Sequence, residues 1–157
     1  IAPHIAAKKM KKDIDIISLY NWYKSCPKAD VALIEGVGGW HTPLNEKHTM
    51  ADFVRLNNLE VVLVVGIRLG CINHAILTAR AIQNAGLNFR GWIANCIDPN
   101  MLEINSNIAT LIPYIDTHCL GIVRNGQNPE SALNLDLLLQ KHCVSIRKGA
   151  SLSIRKL

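Results

Sequence analysis

The chain has 157 residues, 49% of them hydrophobic, which suits a single domain with a buried core. Its longest apolar run, Val61 to Val65, is far shorter than the about 20 residues that a membrane-spanning helix needs. The first residues also lack the charged and apolar regions of a signal peptide. We therefore expect neither a membrane segment nor secretion.

The formal net charge of +5 is concentrated at the two ends of the chain. Nine of the 17 basic residues lie in residues 8–12 and 141–157, where no acidic residue occurs. Residues 13–140 hold the other eight with all 12 acidic residues and are therefore net −4. We expect no nucleic-acid binding, one domain over 1–140, and a basic tail over 141–157 that could be disordered.

The cysteines are odd in number and form no C-x-x-C pair. This pattern argues against a disulfide framework or a zinc site, and it favours the reducing cytoplasm. The five positions are Cys26, Cys71, Cys96, Cys119 and Cys143.

In the first part of the chain we predict two helices and one strand. Residues 1–7 are predicted to be extended, and a helix is predicted over 13–25 because its apolar residues fall at helical spacing. Pro27 ends that helix, since the residue before a proline avoids the helical conformation. The remaining elements are a strand over 31–34, an irregular loop over 40–49 and a short helix over 50–57.

Farther along, strands and helices alternate. The run 60–66 has no polar alternation, which predicts a central strand of a parallel sheet, buried on both faces. A helix over 72–85 follows, with Gly86 at the position of a C-terminal cap. Further predictions are strands over 91–97 and 118–123, a helix over 101–112 closed by Pro113, and a helix over 129–140 beginning at Pro129. Strands separated by helices predict an α/β fold, a parallel sheet with helices on both faces.

The strand over 31–34 ends at Glu35, and the chain continues Gly36, Val37, Gly38, Gly39. At the carboxyl end of a parallel strand, glycines let backbone N–H groups approach an anionic ligand. A carboxylate beside them suits a hard cation such as Mg²⁺. From spacing alone, a glycine-rich turn whose glutamate faces water explains the pattern equally well.

Several segments resemble the dethiobiotin synthetase family. They are Pro3-His4, the Glu35 segment with Thr42-Pro43-Leu44 behind it, residues 64–74, residues 91–95 and Asn128-Pro129-Glu130. The run Gly70-Cys71-Ile72-Asn73-His74 is the most specific of them. The resemblance implies a P-loop fold, a homodimer, and formation of the dethiobiotin ureido ring from 7,8-diaminopelargonate, CO₂ and ATP with Mg²⁺.

The resemblance also implies roles for individual residues. Glu35 matches the Mg²⁺ ligand, and the ATP-binding positions are Glu35, Gly36, Val37, Gly38, Asn95, Cys96 and Glu130. Gly70, Cys71, Ile72 and Asn73 match the segment that receives the carboxylate of the substrate across the dimer interface. A helix N-terminus is independently suited to an anion, although an ordinary helix start capped by Asn73 is the alternative.

Two positions depart from the family. Cys96 stands where the family usually has Asp after the Asn, and Arg124-Asn125-Gly126 stands where the family has a proline-rich stretch that contacts the base. Other reactive residues have simpler interpretations. Cys71 has no paired base, so we favour a packed thiol, and we do not favour a metal pair for His41 and His48. For His74 we favour packing or an interface contact over catalysis.

The chain contains no G-x-x-x-x-G-K-[ST] loop. The lysines of the family and its Mg²⁺-binding aspartate fall upstream of Pro3, so no catalytic residue is assigned here. We expect an N-terminally truncated chain that covers the later two thirds of a synthetase. The alternatives are a catalytically inactive remnant and another P-loop relative, such as a partitioning ATPase or a cobyrinate amidase.

Overall fold

A computed structural model describes residues 1–29, 31–36, 38–134, 136–137 and 152–156. The helices are α1 (Pro3–Lys9), α2 (Ile16–Ser25), α3 (Met50–Leu56), α4 (Cys71–Asn84), α5 (Ile104–Tyr114) and α6 (Pro129–Ala132). The strands are β1 (Val31–Glu35), β2 (Val61–Gly66), β3 (Phe89–Asn95), β4 (Cys119–Val123) and β5 (Leu152–Lys156). None of the helices in the described residues combines the length and hydropathy of a membrane span.

The chain forms two compact units, and the second unit spans Glu60–Val144. Its strands are parallel and lie in the order β2-β3-β4, with helices between them along the chain. The predicted α/β class with parallel strands is thus confirmed. Within the described sheet, β3 and not β2 is the central strand, and Val64 of β2 is 57% exposed. The prediction that β2 is central and buried on both faces is wrong for this sheet, because β2 pairs there along one edge only.

Helices α4 and α5 cover the core of the second unit. Cys71, Ala75 and Ala79 recur at helical spacing on α4, and their small side chains let the helix approach the sheet. Trp92 of β3 and Leu111 of α5 are completely buried beside them. This packing holds the N-terminal part of α4, which carries the predicted substrate segment.

The first unit consists of Ile1–Leu59 with Ser145–Leu157. Asp15 is the N-cap residue of α2, and its carboxylate accepts a hydrogen bond from the N–H of Ser18 at 2.8 Å. Helix α2 packs against α3 through an edge-on contact of Tyr23 with Phe53. Strand β1 pairs in parallel with β5. Residues 138–151 and 157 lie outside the described residues, so the domain over 1–140 and the tail remain predictions.

Several helix boundaries differ from the sequence predictions, and α2 and α5 begin at Ile16 and Ile104 instead of residues 13 and 101. Residues 3–9 are helical rather than extended, since Pro3 occupies the first turn, where its missing N–H costs nothing. The sequence predicts that helix α5 ends before Pro113, but Pro113 lies inside the last turn and the helix ends at Tyr114. Helix α6 ends at Ala132, because Leu133 forms a bridge with Gly121; Asp136 and Leu137 are helical again, and the predicted end near residue 140 lies outside the described residues.

Gly121 allows this close approach to β4. Its φ is +158°, and a Cβ there would overlap Ala132 O and lie 3.0 Å from the Cα of Leu133. We expect Gly121→Ala to lower the free energy of unfolding by about 3 kcal/mol, through backbone strain and overlap together. Urea denaturation monitored by circular dichroism measures the change.

Gly86→Ala is the matched control. Gly86 has φ +69°, but a Cβ added there would have no neighbouring atom within 4 Å. Gly86→Ala should lower the free energy of unfolding by only about 1 kcal/mol, because the left-handed backbone is its one source of strain. Equal costs at the two positions would contradict the close approach.

Candidate functional site

The glycine segment follows β1 directly. Glu35 is the last residue of the strand and is exposed, and Gly36 follows it, whereas Val37 lies outside the described residues. Gly38 has φ +86°, and a Cβ there would lie 2.6 Å from the Thr42 hydroxyl oxygen. The glycine at position 38 is therefore required by both the backbone conformation and the neighbouring side chain.

The start of α3 holds this segment in place. The N–H groups of Met50 and Ala51 donate to the carbonyls of Thr42 and Trp40, at 2.9 and 3.0 Å. No described residue accepts a hydrogen bond from the N–H of Gly38 or Gly39. Hydrogen bonds from the start of α3 thus hold the segment in place, and the N–H groups of Gly38 and Gly39 are available to an anionic ligand.

Glu35 fits a Mg²⁺ site as one ligand of several. Its carboxylate offers the oxygen donors that Mg²⁺ prefers. Among the described residues, no group of three or more His, Cys, Asp or Glu side chains could hold a metal ion. Mg²⁺ usually keeps several waters and binds phosphate oxygens together with one or two carboxylates, so a single glutamate here is compatible with it.

The predicted substrate segment forms the N-terminus of α4. Gly70 is the N-cap residue with φ +88°, and the N–H of Cys71 donates to Arg68 O at 2.9 Å. Cys71 is buried in the core, Ile72 packs against it, and Asn73 is exposed in the first turn. The prediction of Asn73 as the cap is thus wrong, because Gly70 holds that position. The N–H of Cys71 is occupied by Arg68 O, whereas those of Ile72 and Asn73 are left without an acceptor inside the helix, as in anion-binding sites.

A groove of about 290 Å³ opens beside this helix end. Most of its lining residues are apolar, and its polar side chains are the cationic Arg68, the imidazole of His74 and the hydroxyl of Thr78. The lining residues are Leu63, Val64, Val65, Gly66, Arg68, Cys71, His74, Ala75, Thr78 and Ile97. Sequence reasoning missed Arg68, although its place just after a predicted strand could have indicated it. The groove suits a ligand with an apolar chain and an anionic end.

Asn95 and Cys96 lie at the end of β3, and their side chains differ in burial. Asn95 is half-buried, in register with Gly66 of β2 and Val123 of β4. Cys96 is 2% exposed and belongs to the core cluster. Burial raises the pKa of the Cys96 thiol, while the nearby Arg124 cation acts in the opposite direction. The Cys96 thiol therefore stays neutral, and only its backbone can face a ligand.

Glu130 lies in the first turn of α6 and is exposed. Its N–H donates to the side-chain oxygen of Asn128 at 3.1 Å, which caps the short helix. A second, larger depression of about 490 Å³ lies beside it and contains no predicted site residue. Its lining is Ser131, Ala132, Leu133, Asn134 and Asp136.

The predicted residues thus divide between the units. Glu35, Gly36 and Gly38 belong to the first unit, and Gly70 to Asn73, Asn95, Cys96 and Glu130 belong to the second. Within the second unit, the parallel register brings the ends of β2 and β3 together, so Asn95 lies beside Gly66 at the groove.

A family model described as an AAA domain matches residues 1–132. The chain belongs to this AAA domain family. ATP-dependent dethiobiotin synthetases of Cellvibrio japonicus and Aromatoleum aromaticum are 49% and 47% identical to it over 124 residues, and that of Yersinia pestis is 46% identical over 123. These matches confirm the resemblance to dethiobiotin synthetases.

The matched segments of this AAA domain chain cover 78% of its residues and 54%, 55% and 51% of the three relatives. The chain therefore spans about half the length of the curated relatives it matches.

The hydrogen bonds that start α3 give the AAA domain chain a pH-dependent stability. The N–H and hydroxyl of Thr49 donate to the Asp52 carboxylate at 2.7 and 2.8 Å, and the backbone bond is the main cause that lowers the pKa of Asp52 below 3.8. A carboxyl whose pKa is lower in the folded state stabilises the fold above its unfolded pKa, and this contribution is lost as the pH falls through the folded pKa.

We expect Asp52→Asn to lower the free energy of unfolding by about 1 kcal/mol at pH 7, and by less at pH 3. Urea denaturation at the two pH values measures both differences. Glu46→Gln, which changes an exposed carboxylate of the preceding loop, is the control and should show neither effect. A difference between Asp52→Asn and the parent chain that is the same at both pH values would contradict this assignment.

Proposed function

We propose that this chain contributes to an ATP-dependent dethiobiotin synthetase, an enzyme that closes the ureido ring of dethiobiotin. One amine of 7,8-diaminopelargonate takes up CO₂ as a carbamate, and the γ-phosphoryl group of ATP is transferred to a carbamate oxygen. The second amine then attacks the carbamate carbon, and the ring closes as phosphate leaves. The identity of 44–49% to synthetases of this name supports the proposal.

The N-terminus of α4 is the observation that carries the substrate assignment. The N–H groups of Gly70, Ile72 and Asn73 form an anion site beside a mostly apolar groove, and Cys71 lies between them in the same segment. A diamine with a long methylene chain and a terminal carboxylate matches this combination. The carboxylate binds at the helix end, where Arg68 adds a positive charge, and the methylene chain contacts the apolar wall.

The ATP-binding residues act by positioning charge. Glu35 provides a carboxylate ligand for Mg²⁺, and the backbone N–H groups of Gly36, Val37 and Gly38 donate to phosphate oxygens. When bound, Mg²⁺ neutralises the phosphate charge that develops during phosphoryl transfer. Asn95, the backbone of Cys96 and Glu130 lie on the side of the adenine.

The homodimer is part of the same proposal. Leu69 is 97% and Leu77 is 56% exposed at the predicted substrate end and along α4. Large apolar side chains beside a ligand site are typical of an interface that a second subunit covers. The proposed synthetase acts in the cytoplasm on small molecules.

Phosphate release by the complete gene product tests the function. With 7,8-diaminopelargonate, bicarbonate, ATP and Mg²⁺ we expect phosphate and dethiobiotin in equal amounts. Glu35→Gln should lower kcat by roughly 100-fold or more, because it removes a charged ligand of the metal. The measurement is a coupled phosphate assay with dethiobiotin quantified by mass spectrometry.

Glu46→Gln serves as the control, since Glu46 is an exposed glutamate of the same unit. Its rate should equal that of the parent protein. An absence of dethiobiotin would favour the inactive remnant, and phosphate release without the diamine would favour a different P-loop activity.

A further inference from the structure

The loop after β4, residues 124–128, borders the proposed adenine position. Asn95 at the end of β3 is in register with Val123, and the N–H of Cys96 donates to Val123 O at 2.8 Å. Arg124 therefore begins the loop immediately beside the Asn95–Cys96 segment. Any base bound at Asn95 would meet this loop.

Side-chain hydrogen bonds tie the loop to its surroundings. Asn125 Nδ2 donates to Ile97 O at 3.0 Å, and Arg124 Nη2 donates to Asn105 Oδ1 at 2.7 Å. Within the loop, the N–H of Arg124 donates to Gln127 Oε1 at 3.1 Å, and a turn follows. The exit of β3, the first turn of α5 and the loop are thereby connected.

These side-chain bonds and the backbone bond from the Gln127 N–H to Arg124 O restrain the loop. All of its residues are exposed, so burial contributes little to its order, and no proline occurs before Pro129. The proline-rich stretch that the family resemblance implies here would restrict φ through its rings. In this chain the two asparagine contacts join the loop to two neighbouring segments instead.

We propose that Asn125 and Asn105 are positioning residues that hold the loop beside a bound adenine. The inference rests on the proposed function, which places the base at Asn95. A loop that is already ordered loses less conformational entropy when the nucleotide binds. Removing either hydrogen bond transfers that entropy loss to the binding step and weakens affinity for adenine compounds.

The same substitution at the two positions distinguishes positioning from general damage. Asn125→Asp is isosteric but cannot donate to the carbonyl of Ile97, so it should loosen the loop. Asn105→Asp keeps an oxygen that accepts from Arg124, so it should preserve the loop. Asn105→Ala removes that acceptor and should behave like Asn125→Asp.

The test is an NMR titration of the 157-residue chain and its variants with adenosine. Adenosine is uncharged, so the added carboxylates do not repel it, and it reports on the base alone. We expect roughly three- to tenfold weaker binding for Asn125→Asp and Asn105→Ala, and parent-like binding for Asn105→Asp. Amide exchange at Arg124 and Gln127 should be faster only in the two weakened variants.

Asn88→Ala is the control, because it removes an exposed 2.5 Å hydrogen bond to Glu60 near the start of β3. It should change neither affinity nor exchange in the loop. Parent-like affinity and exchange in Asn125→Asp would overturn the inference and leave the proposed function intact. Failure of the parent chain to bind either adenosine or ATP would contradict the proposed adenine site, and the inference with it.

Discussion

The parallel register of β2, β3 and β4 is the constraint on which the second unit depends. Gly66 lies opposite Asn95, and Asn95 lies opposite Val123. Because the three strands run in one direction, the segments that follow them all leave from one edge of the sheet. The loop into α4, the Cys96 segment and the loop after β4 therefore meet there. Polar residues far apart in the sequence become neighbours as a consequence of strand direction alone.

Backbone N–H groups are presented to ligands by two different means. At Gly38, a positive φ and the closeness of Thr42 exclude any side chain, so the amide of an irregular loop is exposed. At Gly70, a positive φ turns the chain into a helix, and the free amides belong to that helix. The position of the Gly38 loop depends on the hydrogen bonds that the start of α3 donates to Trp40 and Thr42. The position of the Gly70 turn depends on the burial of Cys71 in the core.

Strands β1 to β4 were predictable because their local signals agree with the tertiary structure, whereas β5 lies in the stretch that the sequence indicated as a tail. The β-branched runs that form β1 and β2 begin and end within a residue of the predicted limits, and Gly86 follows α4 with the positive φ expected of a C-terminal cap. The short helices α1 and α6 carry weak local signals, and the end of α6 is set by the contact of Leu133 with Gly121, which no local pattern reveals.

The candidate site was predictable in position and less so in orientation. The sequence pairs Asn95 and Cys96 as neighbours at a strand end, which suggests that both face the nucleotide. Successive residues of an extended segment point to opposite sides, so one of the two must turn into the core. The structure buries the apolar thiol and leaves the amide half-exposed, as their hydration would dictate.

The burial of Cys96 also bears on the contact between Arg124 and Asn105. The family usually has aspartate at this position, and a carboxylate buried here would require a charged or hydrogen-bonded partner. Arg124 is close enough to Cys96 for its charge to affect the thiol. A neutral thiol needs no charged partner, and the guanidinium of Arg124 donates a hydrogen bond to Asn105 Oδ1 at 2.7 Å. Arg124 is thus a neighbour common to the Cys96 thiol and to the contact that anchors the loop to α5.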